Sequence, residues 1–152
     1  MIEFSNNIKI NCQIDDVFEF ITAFENLPKW NYYVQNVFKT SEGPADTGKV
    51  YYQMRKKDEQ VFKINEIIKN KKVTVETLRD STPYFYREMI FDSYNGTTII
   101  EDHWQLNSKA PRVIEKLFTK KIKTSINKNL NNLKILLEHG KVKLQNGKIS
   151  TL

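Results

Sequence analysis

Cysteine is almost missing from this chain: Cys12 stands alone among 152 residues, so no intrachain disulfide can form. A reduced, cytoplasmic setting is the expectation. Glycine and proline are scarce, five and four respectively, which excludes collagen-like and low-complexity chains. No apolar run approaches the ~20 residues that a membrane span requires. Met1-Ile2-Glu3-Phe4 lacks a charged region followed by an apolar one, so no signal peptide is expected. The common signatures of chemistry are missing too. There is no His-x-x-x-His pair, no second cysteine, no carboxylate cluster with metal spacing, no glycine-rich phosphate loop and no Gly-x-Ser-x-Gly elbow. The expectation is therefore no metal, no cofactor and no assigned catalytic residue. Cys12, without a visible His partner, reads as inert.

What remains is enough for a packed core. Apolar residues make up 39% of the chain and aromatics 12%, so apolar burial can offset chain entropy. A chain of this length forms one domain and hides roughly two-thirds of its unfolded surface. Charge is uneven. From Lys109 onward there are eleven Lys and Arg against two acids, a net +9, while the residues before it sum to −3. The basic last third is either a solvated lysine-rich helix face or a contact for an anionic partner.

Ile2 to Asn11 reads as a first strand. Asp15 or Asp16 offers an N-cap, with Val17, Phe18, Phe20, Ile21 and Phe24 following at helical spacing. Asn26-Leu27-Pro28 looks like a second N-cap, placing Trp30, Tyr33 and Val34 on one face of a short helix. Six strands are expected next: Val34–Thr40, Val50–Lys56, Val61–Ile68, Val73–Arg79, Tyr84–Phe91 and Thr97–Leu106, each bounded by turn residues. Their short connections imply an antiparallel meander. Pro111 opens a long helix whose stripe runs from Val113 to Leu137 in steps of three and four, and Gly140 closes it. The expected organisation is one domain over residues 1–139 with a tail at 140–152, either frayed or a short added strand.

This is an α+β chain: one strand, two short helices, a meander that brings the total to about seven strands, and a long C-terminal helix that the sheet must curl around. The sequence resembles the START-like superfamily called SRPBCC, the helix-grip fold, and within it the bacterial polyketide cyclase/dehydrase and lipid-transport branch. The resemblance rests on Asp15-Asp16-Val17-Phe18-Glu19-Phe20-Ile21, Leu27-Pro28-Lys29-Trp30-Asn31, Asn95-Gly96-Thr97-Thr98 and the end from Asn132 to Glu138. It covers about residues 2–139 and implies a deep cavity between sheet and long helix for lipids, polyketides or other apolar molecules. These motifs are structural, so they specify fold better than chemistry.

Turns then set which side chains face that cavity, because a side-chain period of two fixes a whole face from one pair. Asn95-Gly96 as a two-residue turn pairs Phe91 with Ile100, Met89 with Asp102, Arg87 with Trp104 and Phe85 with Leu106. Apolar matching at the other turns places Tyr52 opposite Ile64, Met54 opposite Phe62, Glu66 beside Val75 and Val75 beside Arg87. The inward, ligand-facing set expected is Tyr52, Met54, Phe62, Ile64, Glu66, Val75, Phe85, Arg87, Met89, Asp102 and Trp104. Trp30 belongs near the rim, and Phe118 and Ile122 on the helix face the sheet. His103 and Glu88 should meet water. Arg87 must pair with Asp102 or Glu66, since an unpaired buried guanidinium is too costly.

Three functions remain open at this stage. The first is binding or transport of an apolar or amphipathic small molecule. The second is a cofactor-free cyclase or dehydratase, with Glu66, Asp102, Tyr52 and Arg87 as its only inward acids, bases or cations. The third is an interaction module whose basic helix makes weak contact with anionic membrane or nucleic acid. The oligomeric state is left open.

Overall fold

The structure is a computed structural model that describes all residues from Met1 to Leu152. Strand β1 (Ile2–Ile10) leads to helix α1 (Ile14–Thr22) and a 3-10 helix (Phe24–Lys29). Strands β2 (Val34–Lys39), β3 (Val50–Arg55), β4 (Glu59–Ile68), β5 (Lys72–Thr77), β6 (Phe85–Tyr94) and β7 (Thr97–Leu106) follow. Helix α2 (Arg112–His139) and two short strands, β8 (Lys141–Lys143) and β9 (Ile149–Thr151), complete the chain. The seven long strands form one antiparallel sheet in the order β1-β7-β6-β5-β4-β3-β2. This is the expected meander, with β1 closing onto the last strand.

One apolar cluster joins the sheet's inner face, α1, the 3-10 helix and the back half of α2. Leu130, Leu133 and Leu136 are fully buried there, on the same face at helical spacing. Gly140 has φ 82°, and its N–H caps the carbonyl of Leu136. That is the left-handed C′ position glycine serves best.

Helix α2 runs alongside β1, in the same direction. The Met1 amino group lies 3.6 Å from Glu115, Asn6 Nδ2 donates to the Lys123 carbonyl at 3.5 Å, and Cys12 Sγ to the Leu137 carbonyl at 3.4 Å. Its back half is sealed into the core, whereas Ile114, Leu117 and Phe118 near its start are exposed. Phe118 was expected to face the sheet, but it is 47% exposed, because β8 and the segment after the 3-10 helix pack against the back half of α2 and leave the front half with β1 alone. Ile122 is half-buried.

Local starts and ends differ in smaller ways. Gln13, not Asp15 or Asp16, occupies the N-cap of α1, and both acids sit in its first turn, where the helix dipole favours them. The second short helix begins before Asn26 and holds Pro28 near its end, so Trp30 is its C-cap and Val34 is already in β2. The tail is neither frayed nor attached to the large sheet. β8 and β9 pair with each other, and Val142, Leu144 and Ser150 are buried. No helix is long and apolar enough to cross a membrane.

Candidate functional site

The inner face can be read in rows across the strands. One row runs Phe62, Thr77, Phe85, Leu106, Ile2; the next runs Ile64, Val75, Arg87, Trp104, Phe4; a third includes Val73, Met89, Asp102 and Asn6. Aromatic rings bridge the rows. Tyr51 stacks on Phe62 at 5.4 Å between centroids, Phe62 meets Phe85 at 6.1 Å, Phe85 meets Trp104 at 5.5 Å, and Trp104 stacks on Phe4 at 6.4 Å. An aromatic floor thus crosses from β3 to β1. Such pairs add to the area they bury through their ring quadrupoles.

Inside this floor sits one ion pair. Arg87 Nε donates to Asp102 Oδ1 at 2.7 Å and Nη2 to Oδ2 at 2.8 Å, and Trp104 Nε1 donates to the same Oδ2 at 2.9 Å. The two side chains are 7% and 0% exposed. The guanidinium also lies over the Trp104 ring at 4.6 Å and near the Trp30 ring at 5.8 Å. A carboxylate holding three donors is well compensated for its burial. Arg87 spends two of its five N–H groups on Asp102, and its others make no hydrogen bond within the protein.

Phe62, Ile64, Val75, Phe85, Arg87, Met89, Asp102, Trp104 and Trp30 therefore come together as expected on the inner side, with Trp104 half-buried and the rest buried. His103 is on the outer face, where it meets Ser5 and Glu101.

Three expected positions face the other way. Tyr52 and Met54 lie on the outer side of β3, because Tyr51 pairs with Phe62 and Gln53 with Gln60. The offset from the expected register is odd, so every side chain of β3 exchanges faces. The connection that sets it is closed by Arg55 N donating to the Asp58 carbonyl at 2.8 Å and by a two-point Arg55–Asp58 pair. The inward glutamines satisfy each other: Gln53 Nε2 donates to Gln60 Oε1 at 2.7 Å, and Gln60 Nε2 to the Pro83 carbonyl at 2.9 Å.

Glu66 is the third. Asn70 takes φ 59°, so three residues connect β4 to β5 and Ile68 pairs with Lys72. A bulge between Ile64 and Glu66 then moves Ile64 into the row with Val75. Glu66 turns outward and pairs with Lys72 Nζ at 3.1 Å. Bulges commonly re-aim a side chain in this way.

Sequence reasoning missed Tyr51, the two glutamines, Asn6 and Asn129. Asn6 was visible in principle, since Ile2, Phe4, Asn6, Ile8 and Ile10 alternate inward along β1. Asn129 accepts from Tyr32 N and donates to Asn31 Oδ1, both at 3.2 Å, tying α2 to the segment after the 3-10 helix. Nothing local announces that. Tyr51 is fully buried with no hydrogen-bond partner for its hydroxyl, and burial, then the Glu25 carboxylate, push its pKa up to about 12. Burial also pushes the Cys12 thiol up, with Glu138 and Asp16 adding to it, which keeps it from being a ready thiolate.

Two open clefts are lined by no residue of α2. One of about 370 Å³ is lined by Tyr52, Glu59, Val61 and the segment from Leu78 to Thr82. Another of about 640 Å³ lies between α1 and the β2–β3 connection, lined by Phe18, Glu19, Glu25, Lys39, Tyr51 and Ile67 among others. No three His, Cys, Asp or Glu side chains converge as a metal site would require.

No protein-family model matches the sequence, and no curated protein does. Solved structures do match by shape. A START superfamily protein from Mycobacterium smegmatis superimposes with a TM-score of 0.73 at 9% identity, over 90% of this chain and 99% of that one. The chain has the START-like, helix-grip fold. The Aha1 dimer from Colwellia psychrerythraea matches at TM-score 0.71 and 18% identity, over 93% of this chain and 100% of that one. The di-domain ARO/CYC BexL from the BE-7585A biosynthetic pathway matches at 0.73 and 12% identity over 91% of this chain. This chain spans 47% of that di-domain protein, about half its length. In this helix-grip chain the back half of the gripped helix is sealed to the sheet and the front half is open.

Proposed function

We propose that the unit spanning residues 1–139 binds, and carries, an apolar or amphipathic small molecule between the front half of α2 and the inner face of β6 and β7. The observation behind this reading is the change in packing along α2. Leu130, Leu133 and Leu136 are sealed, while Ile114 and Phe118 are 44% and 47% exposed and Trp104 and Leu106 are only half-buried. Apolar side chains left partly open on both the sheet and the long helix, with a buried charged pair beside Trp104, match the ordinary composition of a small-molecule site. The unspent N–H groups of Arg87 suit a polar head, and the aromatic floor suits an apolar body. Helix-grip neighbours described as START and ARO/CYC proteins add support by analogy of fold.

Carriage is favoured over cyclase chemistry. Of the four inward groups on which catalysis was considered, Tyr52 and Glu66 face outward. Asp102 is occupied by three donors, and Arg87 is held by Asp102. Native mass spectrometry of freshly purified protein tests the reading. A bound species of small-molecule mass is expected, together with saturable binding of the amphipathic dye anilinonaphthalene sulfonate. That binding should weaken at least about tenfold in Phe118→Glu/Leu106→Glu, as charges enter an apolar seam. Neither a bound species nor saturable dye binding would overturn it.

A further inference from the structure

We propose that the front half of α2 docks the protein on an anionic membrane surface, with Val113 and Leu117 entering the lipid and the surrounding lysines meeting the headgroups. Val113 and Leu117 are 76% and 70% exposed, among the most exposed large apolar side chains in the molecule. They are one turn apart on the same side of the helix. At 3.6 residues per turn they point about 150° away from the core-facing Leu133 and Leu136. They therefore belong to neither the core nor the seam beside β7, which Ile114 and Phe118 border.

The charge around them is of one sign. Between residues 109 and 128 there are seven Lys and Arg and one acid, Glu115. Lys116 and Lys120 flank the Val113–Leu117 pair on one side, and Lys121 follows Leu117 by one turn on the other; all three are exposed. An apolar pair collared by long cationic side chains is the composition of an interfacial helix: the stems lie along the apolar surface and the ammonium groups reach the lipid headgroups. A second copy of this chain would bring like charges face to face. Nucleic acid would leave the Val and Leu side chains without an apolar partner, since a phosphate backbone offers charge alone. An anionic bilayer satisfies both features at once. The inference does not depend on what the neighbouring seam carries, because docking is read without any ligand.

Co-sedimentation with unilamellar vesicles of phosphatidylcholine containing about one-third phosphatidylserine, against pure phosphatidylcholine, tests it. Binding is expected only to the anionic vesicles at low salt, and it should fall steeply at high salt. Val113→Gln/Leu117→Gln should weaken it about tenfold through lost apolar insertion. Lys116→Gln/Lys120→Gln/Lys121→Gln should weaken it at least about tenfold through lost charge. Both variants alter exposed positions and should melt at the parent temperature. Four results would each overturn the proposal: no vesicle binding at low salt, equal binding to neutral vesicles, binding untouched by the Val113/Leu117 change, or a dimer abolished by that change without any vesicle binding.

Discussion

The buried pair of Arg87 and Asp102 allows a quantitative test of how the inner face is held together. Arg87→Met alone leaves a fully buried carboxylate with Trp104 Nε1 as its remaining side-chain donor. Asp102→Ala alone leaves a guanidinium, 7% exposed, among tryptophan rings, and also removes the acceptor of Trp104 Nε1. Breaking one side of such a pair costs about 3–5 kcal/mol. At roughly 2–4 °C per kcal/mol for a chain of this size, each single variant should melt about 6–20 °C below the parent. Asp102→Ala should be the worse, because two donors lose their partner rather than one acceptor losing its cation. The double variant Arg87→Met/Asp102→Leu removes both charges and fills the space with apolar groups. Its expected cost is about 1–3 kcal/mol, the share of the orphaned indole N–H, and therefore less than either single change. Urea titration of the parent, Arg87→Met, Asp102→Leu and Arg87→Met/Asp102→Leu closes the cycle and gives the coupling energy directly. Additive costs, with the double variant down by about 6–10 kcal/mol, would refute the view that the pair is a closed, self-compensating unit.

Tyr51 makes a prediction about alkaline pH. Its folded pKa is raised to about 12 from the ordinary tyrosine value of about 10, so the neutral phenol is favoured in the folded state. The resulting stability is fully present below pH 10 and is lost as pH rises from about 10 through 12, roughly 2–3 kcal/mol in all. Tyr51→Phe should flatten that limb and leave neutral-pH stability equal or higher, since the hydroxyl has no partner; urea midpoints measured from pH 7 to 11.5 decide it, and an unchanged alkaline limb would sink the argument. Gly140→Ala should cost about 1 kcal/mol from the left-handed backbone alone, because a Cβ there meets nothing within 4 Å; a thermal melt unchanged from the parent would contradict this.

Where local chemistry dictates geometry, the one-dimensional chain was legible. Asn95 and Gly96 take φ 49° and 77° because a two-residue hairpin needs positive φ at both positions, and that turn sets the whole β6–β7 register. The Arg87, Asp102 and Trp104 cluster follows from it by counting, and apolar matching across the β5–β6 connection adds Val75 to that row. The α+β architecture followed from the order of periodicities, and the end of α2 from one glycine. Tertiary structure decided the rest. Between β3 and β4, Tyr51 and Tyr52 are equal candidates for burial, and Met54 outranks Gln53, so side-chain polarity favours the opposite face to the one observed. The choice fell to partners on other elements: Phe24 and Phe62 for Tyr51, and for Gln53 the side chain of Gln60, itself held by the Pro83 carbonyl. The bulge that turned Glu66 outward is one extra residue, which alternation alone does not reveal. The stripe of α2 says which side is apolar, not how far along it the sheet extends. Packing against β8 and the segment after the 3-10 helix sealed the back half and left Val113, Leu117 and Phe118 to solvent, since burial is settled by what an apolar face meets rather than by the face itself.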